Sequence, residues 1–337
     1  MARTDHLTGA RDVAAFAELV ERHRGELRLH CYRMLGSLED AEDLVQETFL
    51  RAWRSRARFT SNGRSSLRAW LYRIATNACV EALRTRRRRV LPAHVAAPAD
   101  PDTPIAPPAD VPWLQPYPDR MLEAVAPPED EPGAVVVARE TIELAFLAAI
   151  QELPPRQRAV LILRDVLGLS AKETAWQLES SVASVNSALQ RARAALRNRL
   201  PERRSEWSRR TPSTPEERDL LRRYLDAHER ADVGALAELL HEDARLTMPP
   251  HTTWYEGRTA ILVASQKGFD PEFGRLRSIA TGANLQPAAA HYLQRPGECE
   301  YRPLAIDVLR IEGTRVAEIT SFVFPELFGV FGLPPAL

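Results

Sequence analysis

The sequence predicts a multidomain chain: two all-α domains, the second carrying a helix-turn-helix, followed by a C-terminal α+β domain. Three observations predict it. First, charge alternates in blocks: residues 11–89 carry net +7, 90–135 net −7, 136–210 net +5 and 211–337 net −5, although the whole chain of 337 residues is neutral. Blocks of opposite sign mark separate parts with separate partners. Second, eleven prolines lie between Val90 and Glu131. Proline lacks the amide donor and fixes φ, so helix and central strand are both excluded there. Third, the apolar pattern is helical on both sides of that stretch and turns to strand alternation near the C-terminus.

Bulk composition sets the class. A hydrophobic content of 45% and a charged content of 27% suit a globular chain. The apolar stretches fall short of the ~18 residues that span a bilayer. The start, MARTDHLTGARD, lacks the apolar core of a signal peptide. A cytosolic protein with no membrane partner is therefore expected. Cys31, Cys79 and Cys299 lie far apart and form no Cys-x-x-Cys pattern, so no metal site and no cofactor are expected.

In the first basic block, LEDAEDLVQETFLRAW (38–53) reads as an amphipathic helix. Ala41, Leu44, Val45, Thr48, Phe49 and Ala52 share one stripe, and Asp40, Asp43, Gln46, Glu47 and Arg51 lie opposite. ARFTSNGRSS (57–66) reads as a loop, and SLRAWLYRIATNACVEALRTRRRR (66–89) resumes helix. Leu67, Leu71, Ile74, Ala75, Ala78 and Ala82 form its apolar stripe, while Trp70, Arg73, Asn77 and Arg84 share another face. From 51 to 89 there are twelve Arg against Glu81 alone. Such a face beside a polar loop suits single-stranded nucleic acid, where bases stack on aromatic or guanidinium planes and Arg holds phosphate. For Trp70 a place in the core is an equal alternative.

The proline stretch reads as an extended, acidic tether, with Trp113 and Tyr117 either docking elsewhere or covering a neighbouring apolar patch. In the second basic block, Ser170 and Glu173 form a capping-box pattern. Ala171, Ala175 and Leu178 face inward, the chain turns at 179–181, and Val182, Val185, Leu189, Ala192 and Leu196 carry a second helix. These are the proportions of a helix-turn-helix. Ser184, Asn186, Ser187 and Gln190 point outward near the start of the second helix, where Asn and Gln can bond adenine edges. Arg191 and Arg193, with Arg197 and Arg199, extend the cationic surface. A plain solvated basic helix is the alternative on these residues alone.

The acidic C-terminal block begins with two helices over 215–240. ARLTMPPHTTWYEGRTAI follows as strand, turn and short helix, and two strand pairs complete it, the last turning at Glu312-Gly313. Asp307 shares a strand face with Leu309 and Ile311 and so is expected to point inward. His251, Trp254 and His291 are candidates to line the same cavity. The plainer alternative pairs Asp307 with an arginine and leaves the histidines at the surface.

Three stretches together, DAEDLVQETFLRAW, SLRAWLYRIATNACVEALR and LPPRQRAVLILRDVLGLSAKETAWQLESSVASVNSALQRARAAL, resemble the extracytoplasmic-function (ECF) sigma factors of bacterial RNA polymerase. The resemblance implies sigma region 2 over 11–89, a linker over 90–137 and region 4 over 138–203. It implies a non-enzymatic protein whose partners are core RNA polymerase, through its β′ clamp and β subunits, and promoter DNA. Asp40, Asp43, Gln46 and Glu47 would touch the clamp. Asn62, Arg64, Ser65, Arg68, Trp70, Arg73, Asn77 and Arg84 would recognise and melt the −10 element. Ser184, Asn186, Ser187, Gln190, Arg191 and Arg193 would read the −35 element. The linker would thread toward the active-site and RNA-exit path. Many members carry Lys-Ser-Arg-x-His in the recognition helix. Here Asn186, Ser187, Ala188 and Gln190 stand at the aligned positions, so two cationic contacts are missing. The linker is also long for the family.

Residues 213–331 resemble the SnoaL-like fold, a cone-shaped α+β barrel with a pocket, on MPPHTTWYEGRTAI and RIEGTRVAEITSF. This implies a domain that regulates the sigma domains in cis and a pocket open to a small-molecule ligand. The Asp-Gly-Gly-Gly motif of one such subgroup is absent from the sequence. Two rival readings stand: a ligand-responsive helix-turn-helix regulator acting without core polymerase, and a SnoaL-class enzyme fused to a DNA reader, which lacks a convincing acid/base pair. An anti-sigma partner is not legible in the sequence.

Overall fold

The computed structural model describes residues 16–56, 59, 66–123, 142–197 and 214–337. The chain divides into two compact units, one formed by Met1–Arg88 with Met121–Ser208, the other by Arg89–Arg120 with Arg209–Leu337.

The first unit is helical. Helix α1 (Arg24–Leu35) stops at Gly36, whose φ of 70° lets its N–H turn back to the Tyr32 carbonyl. Ser37 then caps α2 (Leu38–Ser55), its hydroxyl accepting from the Asp40 amide, with Glu39 and Asp40 in the first turn. Ala41, Val45, Thr48 and Ala52 are buried, as the 3.6 period requires, while Leu44 and Phe49 are half-buried at the stripe's edge. Ser66 caps α3 (Leu67–Ala82), which buries Leu71, Ala75 and Ala78. The expected helix to residue 89 ends seven residues early. Arg84 and Arg86–Arg89 would stack like charges at i, i+3 and i+4 on a continued helix, a destabilising arrangement.

Helices α4 (Leu144–Ile150) and α5 (Pro155–Leu161) follow, Pro155 opening α5 where its missing N–H costs nothing. A π-helical turn over Ile162–Val166 continues α5. Then come α6 (Ala171–Gln177), with the expected Ser170–Glu173 capping box, and α7 (Val182–Leu196). Val185, Leu189, Ala192 and Leu196 are buried, but Val182 is 43% exposed. It sits in the first turn, before the helix meets its neighbours. Arg158 is buried and donates to the carbonyls of Met34, Gln151 and Leu153, which ties this bundle to the end of α1. Burial in that site, with Arg88 nearby, lowers its pKa to about 10.

The second unit is α+β, as expected. Helices α8 (Pro215–Glu229) and α9 (Val233–Leu239) precede β1 (Leu240–Thr247), β2 (Trp254–Glu256) and α10 (Arg258–Gly268). Strands β3 (Arg275–Ala283), β4 (Gln286–Gln294), β5 (Arg302–Glu312) and β6 (Arg315–Phe322) and the short helix α11 (Leu327–Phe331) complete it. The sheet order is β2-β1-β6-β5-β4-β3, with β1 parallel to β6 and every other pair antiparallel. Leu220, Leu221 and Tyr224 of α8 pack with Leu236, Ile261, Leu309 and Ile319 in one core.

The proline-rich stretch is a correction. It is not a free tether: residues 89–120 belong to the second unit. Its prolines cannot donate, so its remaining amides and its carbonyls bond to the barrel one by one. The Ala99 amide donates to the Trp254 carbonyl at 2.8 Å, the Ala109 amide to Pro250 at 3.0 Å and the Asp119 amide to Gly282 at 3.0 Å. The β3–β4 turn uses Asn284 and Leu285, both at φ 58°, a left-handed conformation that is costly for leucine. The tether holds that turn: Asn284 Oδ1 accepts from the Tyr117 amide, and Asp119 Oδ1 accepts from the Leu285 amide, each at 2.8 Å.

Candidate functional site

On α2, Asp43 and Gln46 are exposed, whereas Asp40 pairs with Arg86 and Glu47 bonds Arg51 at 2.7 Å. Arg51 in turn reaches Glu81 of α3 at 2.9 Å. The acidic face is thus half open and half engaged with neighbouring arginines.

Asn62, Arg64 and Ser65, expected to recognise the −10 element, lie outside the described residues. On α3, Trp70 is half-buried and stacks on Phe59 with ring centroids 4.8 Å apart. Arg68 bonds Glu26 of α1 at 2.7 Å. Burial pushes the Glu26 carboxyl up, but His23 and Arg68 outweigh it and hold the group below its ordinary value. Arg84 is exposed just past the helix end. Arg73 and Asn77 meet the helix-turn-helix: Arg73 bonds Glu179 at 2.5 Å and lies 4.8 Å over the Trp176 ring, while Asn77 donates to the Gln177 carbonyl at 3.2 Å. Gln177 answers with a bond to the Ala69 carbonyl at 3.0 Å.

On α7, Ser184, Asn186, Ser187, Gln190 and Arg191 are all exposed, opposite the buried Val185, Leu189 and Ala192. Ser181 caps the helix, so its first turn is fixed where these side chains emerge. Arg193 does something else: it forms a two-pronged bond to buried Asp165, at 2.7 and 3.0 Å, and braces α7 against the π turn. Arg197 is the last described residue of this bundle, and Arg199 lies outside.

The second unit holds a cavity of about 560 Å³ that opens to the surface. Asp307, 5% exposed, does point into it, and His291 lies beside it. Their strands place them diagonally: His291 opposes Ala305 and Asp307 opposes Ala289 on the paired strand. His291 Nε2 lies 3.1 Å from Asp307 Oδ2, which also accepts the Tyr224 hydroxyl at 2.7 Å. Ser278 Oγ meets His291 Nδ1 at 2.8 Å. Burial alone would raise the Asp307 pKa, but the adjoining His291 imidazole overcomes it and holds the carboxyl well below its usual range. His228 stacks near His291 with centroids 4.7 Å apart, and burial, with His291 alongside, lowers its pKa to about 4.

His251 and Trp254 are corrections. Neither lines the cavity, because both are spent on the tether: His251 Nδ1 bonds the Ala106 carbonyl at 2.7 Å and Trp254 Nε1 bonds the Ala96 carbonyl at 2.9 Å. Tyr224, His228 and Ser278 were missed. Tyr224 and His228 stand four apart on α8, a spacing visible in the sequence, but nothing there connects that face to Asp307. His228, His291 and Asp307 bring one potential ligand atom each to within 4.8 Å of one another, so the site has metal-compatible residues where none were expected. Among the described residues, no helix is long and apolar enough to cross a membrane.

The adjacent helices α2 and α3, followed by a helix-turn-helix with an open polar face, have the layout of an RNA polymerase sigma factor. Residues 19–89 match sigma-70 region 2 and residues 143–196 match sigma-70 region 4. The chain is 45% identical to the ECF RNA polymerase sigma factor SigG of Mycobacterium tuberculosis, over 96% of this chain and 85% of that one. It is 33% identical to SigW of Bacillus subtilis, over 56% of this chain and 90% of that one. The crystal structure of the extracytoplasmic function sigma factor SigJ of M. tuberculosis shares the fold over 95% of this chain and 99% of that one, at a TM-score of 0.57 and 20% identity. The chain belongs to the ECF sigma factors and acts in transcription initiation.

Proposed function

We propose that the chain docks on core RNA polymerase through α2, recognises and melts the −10 element through α3 and the loop before it, and reads the −35 element through α7. The observation that carries this is the row Ser184, Asn186, Ser187, Gln190 and Arg191, exposed together on a helix whose other face is buried. Asn and Gln match adenine edges in the major groove, Ser reaches base or phosphate, and Arg191 suits the backbone. Arg193 is left out, since Asp165 holds it. On α2, the open residues Asp43 and Gln46 carry the core contact.

The second unit regulates in cis through the tether. Residues 89–120 cannot lie on the barrel and thread the polymerase at once, so barrel affinity for the tether competes with engagement of the polymerase. A net charge of −5 over 211–337 also opposes contact of the barrel with DNA.

Purified core polymerase with full-length protein should give transcripts from a cognate promoter. The pair Asp43→Arg and Gln46→Arg should cut core affinity and transcript yield together, by about tenfold or more, because like charge across a docking surface costs several kcal/mol. Unchanged core affinity would remove α2 as the docking helix. In the same assay Asn284→Ala, which deletes the acceptor of the Tyr117 amide, should alter yield while core affinity holds. Identical yield would remove the tether as the regulatory link.

A further inference from the structure

The cavity of the second unit is within the usual size range of small-molecule sites. Its walls are largely apolar, with Leu246, Met248, Ile261, Phe269 and Ile319 among them. Its inner polar groups are Asp307, Tyr224, His291, His228 and Ser321. Tyr224 and His291 both serve Asp307 Oδ2, and the Ser321 hydroxyl on the paired strand also steadies the carboxylate, although no hydrogen bond of ordinary length reaches the buried Oδ1. His228 Nδ1 lies 2.9 Å from the Tyr224 carbonyl, which can only accept, so Nδ1 carries the proton. The neutral ring keeps a lone pair on Nε2. A carboxylate and an imidazole lone pair, both acceptors, therefore stand at the wall of an apolar chamber.

The wall is not made by the barrel alone. Asp102, Thr103, Pro104 and Ile105 of the tether also line the cavity, and Ile105 leaves an apolar side chain 53% exposed. This stretch is pinned on both sides. Lys267 Nζ bonds the Pro101 carbonyl at 2.5 Å, and the Ala106 amide bonds Thr253 Oγ1 at 2.9 Å. It runs along the cavity wall as a strap held at its two ends.

We propose that this cavity binds a small, mainly apolar molecule with a hydrogen-bond-donating head, an alcohol or an amine, seated against Asp307 and His228, with tether residues 102–105 completing the site. Binding and tether docking then strengthen each other by the same factor, as linkage requires. An anionic head is disfavoured because it would face the Asp307 carboxylate.

The test uses full-length protein and three probes of one shape: 2-naphthylmethanol, 2-naphthylmethylamine and 2-naphthoate. Calorimetry should show one-to-one binding of the alcohol and the amine, with the carboxylate weaker by about tenfold or more. Asp307→Asn and, independently, His228→Phe should each weaken the amine by about tenfold; the second variant serves if the first does not fold. Hydrogen exchange at the amides of Asp102, Thr103, Ile105 and Ala106 should slow several-fold when the alcohol or amine is bound. Three results would overturn the proposal: no binding of any probe, equal binding of the carboxylate, or binding indifferent to both variants. Binding without slower exchange in the tether would remove the strap from the site. Stoichiometric Zn²⁺ binding that is lost in His228→Phe and displaces the amine would reassign the cluster as a metal site. None of these readouts uses a promoter, so failure here leaves the transcription assay standing, and the reverse.

Discussion

His30 lies fully buried in the first bundle with its Nε2 2.9 Å from Thr76 Oγ1. The Thr76 hydroxyl gives its own proton to the Tyr72 carbonyl, so it accepts from His30, and the proton sits on Nε2. Nδ1 is left buried without a partner. Burial, with Arg33 nearby, lowers the ring's pKa to about 3 from an ordinary 6.5. The unfolded chain therefore takes up the proton first as pH falls. This contribution to stability is intact above about pH 6.5 and declines toward pH 3, by about 1 kcal/mol between pH 7 and 5.5. His30→Gln should remove that part of the fall, read as urea midpoints at the two pH values. An identical fall in the variant would place the proton uptake elsewhere. The same scale shows where sequence reading stops. The alternation around Asp307 is enough to turn it inward, yet its partner Tyr224 lies 83 residues away on another element. A face can be read from periodicity; a contact across that distance cannot. His251 and Trp254 were placed near the cavity by their strand and turn, but the tether that claims them carries no pattern that points to them.

Elements were more legible than contacts. Helices α2, α6 and α7 and the β5–β6 turn follow period, cap and glycine, which are local signals. The tether was legible as proline-rich and not as docked, because its bonds to the barrel involve single amides and carbonyls rather than a repeating ladder. For α7 the exposed face sets distinct expectations for neighbouring residues. Gln190→Ala should cost about 1–3 kcal/mol at one base position and relax preference there. Arg191→Ala should weaken all sequences alike and lower the salt slope by about 1. Both are measured with holoenzyme on a library of −35 variants across a salt series. An unchanged preference in Gln190→Ala would mean that α7 does not seat that side chain on a base. The two cations missing at Asn186 and Ala188, and the imidazole missing at Gln190, make the base preference the part least transferable from relatives.

At the scale of the molecule, the first unit holds α3 and the helix-turn-helix, the two parts proposed to read DNA, against each other. Glu179 places a carboxylate on Arg73, and the Gln177 carbonyl occupies Asn77. On the proposed reading, a phosphate oxygen takes the place of Glu179 and promoter engagement breaks these contacts. An exposed ion pair is worth about 0.2–1 kcal/mol, so Glu179→Ala should raise the affinity of the free protein for a single-stranded −10 oligonucleotide by a few-fold, measured by fluorescence anisotropy. Equal affinity would show that the pair does not restrain α3. The second unit carries a different consequence. Its parts, 89–120 and 209–337, are separated in the chain by the whole of the region 4 segment. Recombination with a breakpoint near residue 210 would thus split a folded unit, although the gene there looks like a seam between modules. A barrel exchanged between paralogues would arrive without the strap that lines its cavity or the Asp119 that holds its β3–β4 turn. The heritable module is discontinuous, and substitutions in the tether and the barrel are expected to change together.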